Sequence, residues 1–143
     1  RILSFHNPYR ELLAYWKNRT VKRIFHTPVS YHDYESYTSA LVARKPLVSV
    51  VIPTLNRYSW LNDVLNDLAV QTYQNFEVIV VDQSQPFQED FYKNRNLSLT
   101  VWYQQEKALW KARNDAIQSS KGELILLYDD DSRVEQDWIM QHV

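Results

Sequence analysis

LVSVVIPTLNR, residues 47–57, decides the fold of this chain. From Leu47 to Ile52 the residues are apolar and mostly β-branched, with Ser49 the single interruption. A strand with one wet face alternates apolar and polar residues, whereas a strand covered on both faces has no reason to. The run therefore reads as a doubly buried strand of a parallel sheet, closed by Pro53.

Downstream, the same texture returns. Residues 76–81, FEVIVV, form a second such run and end at Asp82. Residues 123–128, ELILLY, form another and lead into Asp129-Asp130-Asp131. Leu99 to Tyr103 is a weaker strand between them. The spacing of Leu61, Val64, Leu65 and Leu68 predicts a helix behind Ser59 as cap. Leu109, Ala112, Ala116 and Ile117 predict another, stopped near Gly122, the chain's only glycine. Residues 83–96 are polar and irregular with room for a short helix, and a last helix is expected from about Glu135. Strands alternating with helices imply right-handed crossovers, hence an α/β fold with a mainly parallel sheet and flanking helices. Ligands of such sheets sit beyond the carboxyl ends of the strands, where the strand order reverses. Thr54 and Asn56, then Asp82, then the triple aspartate stand at those ends.

The bulk numbers bound the function. A chain of 143 residues holds one domain's core. With 45% hydrophobic and 23% charged residues it reads as a soluble globular domain. A formal net charge of −1 gives no electrostatic case for nucleic acid. There are no cysteines, which excludes disulfides and thiolate metal sites and is compatible with a reducing compartment. A cytoplasmic location is the expectation, with membrane association as its variant. No apolar stretch is long enough to span a membrane, and no secretory signal is present. The chain begins at Arg1 and stops at Val143 just as an amphipathic pattern starts, so it is expected to be a segment of a longer protein.

Charge divides the chain in two. Residues 1–45 hold eight Lys/Arg against three Asp/Glu, and residues 46–143 hold eight against fourteen. The first part reads as a basic, aromatic helical leader followed by a Tyr-rich linker, with Asn7-Pro8 as helix start. Such a helix, here residues 8–25, either is a solvated helix packed on the domain or on further sequence, the favoured reading, or lies peripherally on an anionic membrane.

Three consecutive carboxylates repel one another and persist where a cation is held or where they face water. At a strand end, Asp129 and Asp131 alternate to the same side and are candidates for one ion. Oxygen ligands with no Cys or His nearby suit Mg2+ or Mn2+, which take further oxygens from a substrate's phosphates. The plain alternative is an acidic turn capping the next helix at Asp131 or Ser132.

Four stretches in order carry a resemblance: VSVVIPTLNR (48–57), QTYQNFEVIVVDQS (71–84), ARN (112–114) and KGELILLYDDDS (121–132). Together they resemble the successive signatures of family 2 glycosyltransferases, over about residues 46–143. The resemblance implies a GT-A fold whose first half binds a nucleoside-diphosphate sugar, with the first and fourth strands side by side. It implies that Pro53, Thr54 and Asn56 border base and ribose, and that Asp82 accepts a hydrogen bond from the base. It implies that Asp129 and Asp131, as a D-x-D motif with Asp130 between them, hold a divalent metal, Mn2+ or Mg2+, against the diphosphate. Arg113 matches the arginine on the nucleotide side of the cleft.

Gln83 departs from the family, where a second Asp is common, and Ala108 and Ala116 replace common glycines. The implied function is metal-assisted, inverting glycosyl transfer from a nucleoside-diphosphate sugar to a saccharide, lipid or protein acceptor, in the manner of cell-surface polysaccharide synthesis. The catalytic base is expected beyond Val143. Two alternatives stand beside this: a non-catalytic nucleotide-sugar-binding module, and a Mg2+-dependent phosphotransfer or receiver domain with Asp82 as phosphoryl acceptor.

Overall fold

The computed structural model describes residues 43–143. The helix and membrane-facing stretch expected at residues 8–25 lie outside the described residues, as does nearly all of the leader. In chain order come β1 (Val48–Thr54), α1 (Tyr58–Ala69), β2 (Phe76–Asp82), a 3-10 turn (Glu89–Tyr92), β3 (Leu99–Tyr103), α2 (Leu109–Ser119), β4 (Leu124–Leu127) and α3 (Trp138–His142). Every pairing is parallel and the strand order is β3-β2-β1-β4, the expected GT-A-like α/β sheet with β1 and β4 adjacent.

The unbroken apolar runs are explained by the two faces of the sheet. Val48, Val50 and Ile52 of β1, with Val78 and Val80 of β2, bury against Leu61, Val64, Leu65 and Leu68 of α1. Val51, Ile79 and Val81 point the other way and pack against Ala112 and Ala116 of α2, with Ile125 and Leu127 of β4 partly buried there. The two alanines lie four residues apart, on one face of α2, and their small side chains let that helix lie close on the sheet.

Pro53 does not close β1, as the sequence suggested. The strand runs one residue further and pairs Pro53 with Val81 and Thr54 with Asp82. In a parallel ladder the residues of one strand turn alternately to the two neighbours. Val51 accepts from the Tyr128 N–H on the β4 side, and Thr54 accepts from the Gln83 N–H on the β2 side. Pro53 thus faces β4, whose pairing has already ended at Leu127, so its missing N–H costs no ladder bond.

Ser59 is not the cap of α1. Arg57 holds the N-cap position without a side-chain cap bond, and its carbonyl accepts from Leu61 N–H at 2.9 Å. The helix begins this early because Asn56 takes a left-handed conformation, φ 57°, which turns the chain directly out of the strand.

Leu124 and Leu126 on edge strand β4 are half-buried, as expected of a strand with one open side. Tyr128, just beyond the same strand, is buried beneath Trp138, ring centroids 4.7 Å apart. The tail responsible is stapled to the end of α1. Arg133 grips Asp67 bidentately at 2.6 and 2.7 Å. The Gln71 side chain donates to the Glu135 carbonyl and accepts from Ile139 N–H. These bonds hold residues 133–137 out of helical form, so the last helix starts at Trp138 rather than near Glu135.

Candidate functional site

The strand order reverses between β1 and β4: β2 and β3 add outward on one side of β1, and β4 returns to the other. A cleft of about 430 Å3 opens at the carboxyl ends of those two strands. One wall carries Asp129, Asp130 and Asp131 after β4, and Pro53, Thr54, Leu55 and Arg57 line the cleft after β1. Gln83, Lys107 and Leu109 complete it.

The three aspartates have different surroundings. Asp130 is 6% exposed and accepts from the Thr54 hydroxyl at 2.7 Å. Asp129 and Asp131 keep 62% and 44% of their side-chain surface in solvent. Arg113 pairs with Asp129 at 2.8 Å. Arg57 pairs with Asp131 at 2.6 Å and with Asp130 at 3.3 Å. These carboxylates, Asp130 first and then Asp131, raise the Arg57 pKa further above its already high value, so it stays charged at every working pH. The arginine Nε of Arg113 is buried with no partner among the described residues.

The resemblance implied a divalent metal, and the donor set fits one. Asp129 and Asp131 are two residues apart, exposed, and supply only hard oxygen. Among the described residues no three His, Cys, Asp or Glu converge into a cage. Mg2+ needs no such cage where one or two carboxylates hold it with water and substrate phosphate filling the rest.

Of the site residues read from the sequence, Pro53, Thr54, Asp129, Asp130 and Asp131 line the cleft, and Arg113 touches it through Asp129. Asn56 and Asp82 are not among the residues that line it. Asn56 braces the loop after β2, its N–H donating to Ser84 Oγ at 2.7 Å and its Oδ1 accepting from Gln85 N–H at 3.1 Å. Asp82 is 0% exposed. Its Oδ2 accepts from the Tyr58 and Tyr92 hydroxyls at 2.7 and 2.8 Å, and its Oδ1 from Ser84 N–H at 2.8 Å. Burial first, then these bonds to the carboxylate, push both phenols up in pKa. A phosphoryl acceptor must be reachable, so this burial removes the support for the receiver-domain alternative.

Five lining residues were not assigned from the sequence: Leu55 and Leu109, which are apolar, and Arg57, Lys107 and Gln83. In the sequence nothing distinguishes Arg57 from a solvated loop charge, and Lys107 gives no signal at all. Gln83 stood out only as a departure. Its Nε2 donates to the Glu106 and Ala108 carbonyls at 2.8 and 3.2 Å, which fixes the amide's orientation. Its Oε1 accepts no hydrogen bond among the described residues.

The model for glycosyl transferase family 2 matches residues 49–143 of this chain. The chain belongs to glycosyl transferase family 2. It is 32% identical over 98 residues to the glycosyltransferase GlyG of Streptococcus pneumoniae, covering 65% of this chain and 33% of GlyG. It is 31% identical over 96 residues to TarS of Staphylococcus aureus, a poly(ribitol-phosphate) beta-N-acetylglucosaminyltransferase, covering 62% of this chain and 17% of TarS. The crystal structure of TarS residues 1–349 in complex with UDP-GlcNAc superposes with a TM-score of 0.59 at 30% identity, over 66% of this chain and 29% of that one. The family 2 chain described here thus spans about a third or less of the length of the relatives it matches.

Proposed function

We propose that residues 46–143 form the donor-binding part of a glycosyltransferase that moves a sugar from a nucleoside diphosphate to an acceptor hydroxyl. The observation that carries this is the cleft at the β1/β4 switch point, with a carboxylate pair on one wall and cations beside it. Membership of family 2 and the UDP-GlcNAc complex of a related protein support the same reading.

Each residue has a task in it. Asp129 and Asp131 hold the divalent ion, which when bound supplies charge neutralisation for a departing diphosphate. Thr54 orients Asp130 and ties the end of β1 to the acidic wall. Pro53, Leu55 and Leu109 give the base an apolar slot. The base contact expected of Asp82 passes to its neighbour. Gln83 has both N–H groups committed, so it offers only an acceptor, suited to a ring N–H of uracil, thymine or guanine. Asp82 acts behind it, fixing Tyr58, Tyr92 and the loop that carries Gln83. The acceptor hydroxyl attacks the anomeric carbon as the diphosphate leaves, with inversion, and its proton goes to a base outside the residues assigned here. The leader is proposed as a separate basic element, and the protein as cytoplasmic.

Calorimetric titration with UDP, GDP and CDP, with and without Mn2+, tests the reading on the intact protein. Mn2+-dependent binding of a nucleoside diphosphate is expected in the wild type. Asp131→Ala, at an exposed position, removes the metal dependence without moving the unfolding transition. No nucleotide binding by the wild type sinks the proposal.

A further inference from the structure

We propose that Arg57 is a counter-ion gate: it neutralises Asp130 and Asp131, yields Asp131 to an incoming divalent cation, and turns its freed guanidinium onto the diphosphate. The inference rests on the donor-site reading above and adds an order of events to it.

The geometry poses a competition. Arg57 Nη1 lies 2.6 Å from Asp131 Oδ2, on a carboxylate the cation is expected to use, and 3.3 Å from Asp130 Oδ1. A guanidinium proton and a metal ion cannot share the same lone pair. Asp130 is not free to follow Arg57, since its other oxygen holds the Thr54 hydroxyl. The pair with Asp131 is easily broken, because both side chains are about half in solvent and such pairs are weak.

Arg57 is also placed to do something once released. It lines the cleft, and among the described residues its side-chain hydrogen bonds all run from Nη1, leaving Nε and Nη2 without a partner. The planar fork of a guanidinium matches phosphate oxygens two at a time. Charge balance favours the exchange. The three carboxylates are balanced by Arg57, Arg113 and Lys107, so the cleft carries no net charge, and release of Arg57 from Asp131 frees a carboxylate for a divalent ion. Once that ion is bound, the same group carries two net positive charges and attracts a diphosphate. Cation and nucleotide therefore bind with mutual reinforcement, equal in both directions.

The test is Mn2+ titration of wild type and Arg57→Gln, by calorimetry and by the electron paramagnetic resonance signal of free Mn2+, each with and without UDP. Removing the competing cation is expected to tighten Mn2+ binding alone by roughly twofold to fivefold, the worth of the one exposed pair with Asp131. The same variant weakens UDP binding in saturating Mn2+ and shrinks the coupling between the two. Opposite signs at the two ligands separate a gate from damage, because a distorted cleft loses both. Unchanged or weaker Mn2+ affinity in Arg57→Gln overturns the gate while leaving the donor site standing if the wild type binds Mn2+ and UDP. A wild type that binds neither overturns both. Arg57→Met, uncharged and of similar reach, must give the same signs and stands in if the Gln variant does not fold.

Discussion

The Thr54 hydroxyl donates to Asp130 Oδ2 at 2.7 Å across 76 positions of sequence, and this bond closes the cleft wall between β1 and β4. Both residues are buried, at 3% and 6% exposure. Thr54→Val keeps the shape and removes the donor from a buried carboxylate. A loss of about 1–3 kcal/mol in urea denaturation is expected, recovered in Thr54→Ser. Unchanged stability would mean that Arg57 alone satisfies Asp130.

Asp82 is expected to act on the fold first. Its carboxylate accepts three hydrogen bonds, and an amide in its place has one acceptor atom and a donor aimed at either two phenols or a backbone N–H. Asp82→Asn should destabilise by about 1–3 kcal/mol, read by the denaturation midpoint. Full stability with nucleotide binding lost would make the carboxylate itself the base contact and retire Gln83 from that role.

Acid should loosen the C-terminal tail. Hydrogen bonds from Arg133, then the backbone N–H of Val134, hold the Asp67 carboxyl below the usual carboxylate range. A folded pKa below the unfolded one stabilises the fold above the ordinary Asp value of about 3.9, and that stability is lost as pH falls through the folded pKa. The melting temperature of the wild type is expected to exceed that of Asp67→Asn at pH 7, with the gap closing towards pH 2.5. A gap that stays constant with pH would assign the difference to packing.

Gly122 is required by space. A Cβ there would meet Ser49 N at 2.5 Å and Ser49 Oγ at 2.6 Å. Ser49 Oγ itself accepts from Gly122 N–H and donates to buried Glu77, which also accepts from Lys121 N–H. Gly122→Ala must push β4 away from β1, at a cost of about 1–3 kcal/mol or more. Since β4 delivers the aspartates, nucleotide affinity should fall with stability. A variant as stable as the wild type would show that the strand shifts freely.

The sequence by itself determined the sheet and the acidic wall. Doubly buried parallel strands need apolar residues at nearly every position, with Ser49 and Glu77 satisfied by each other, so β1 and β2 announced themselves, and so did the aspartates ending the last strand. Local pattern also placed both crossover helices, because one apolar stripe per helix follows from its period alone. Tertiary structure decided what depends on neighbours distant in sequence. Pro53 continues β1 because β4 ends beside it, Tyr128 is covered because residues 133–139 fold back onto α1, and neither partner is near in the chain. It also decided which of two adjacent residues faces the cleft. Asp82 and Gln83 sit on opposite sides of an extended chain, and only the packing of Tyr58 and Tyr92 fixed which side is interior. Arg57 belongs to the same class: a loop cation acquires a role only when folding brings Asp130 and Asp131, more than seventy residues away, within reach of its guanidinium.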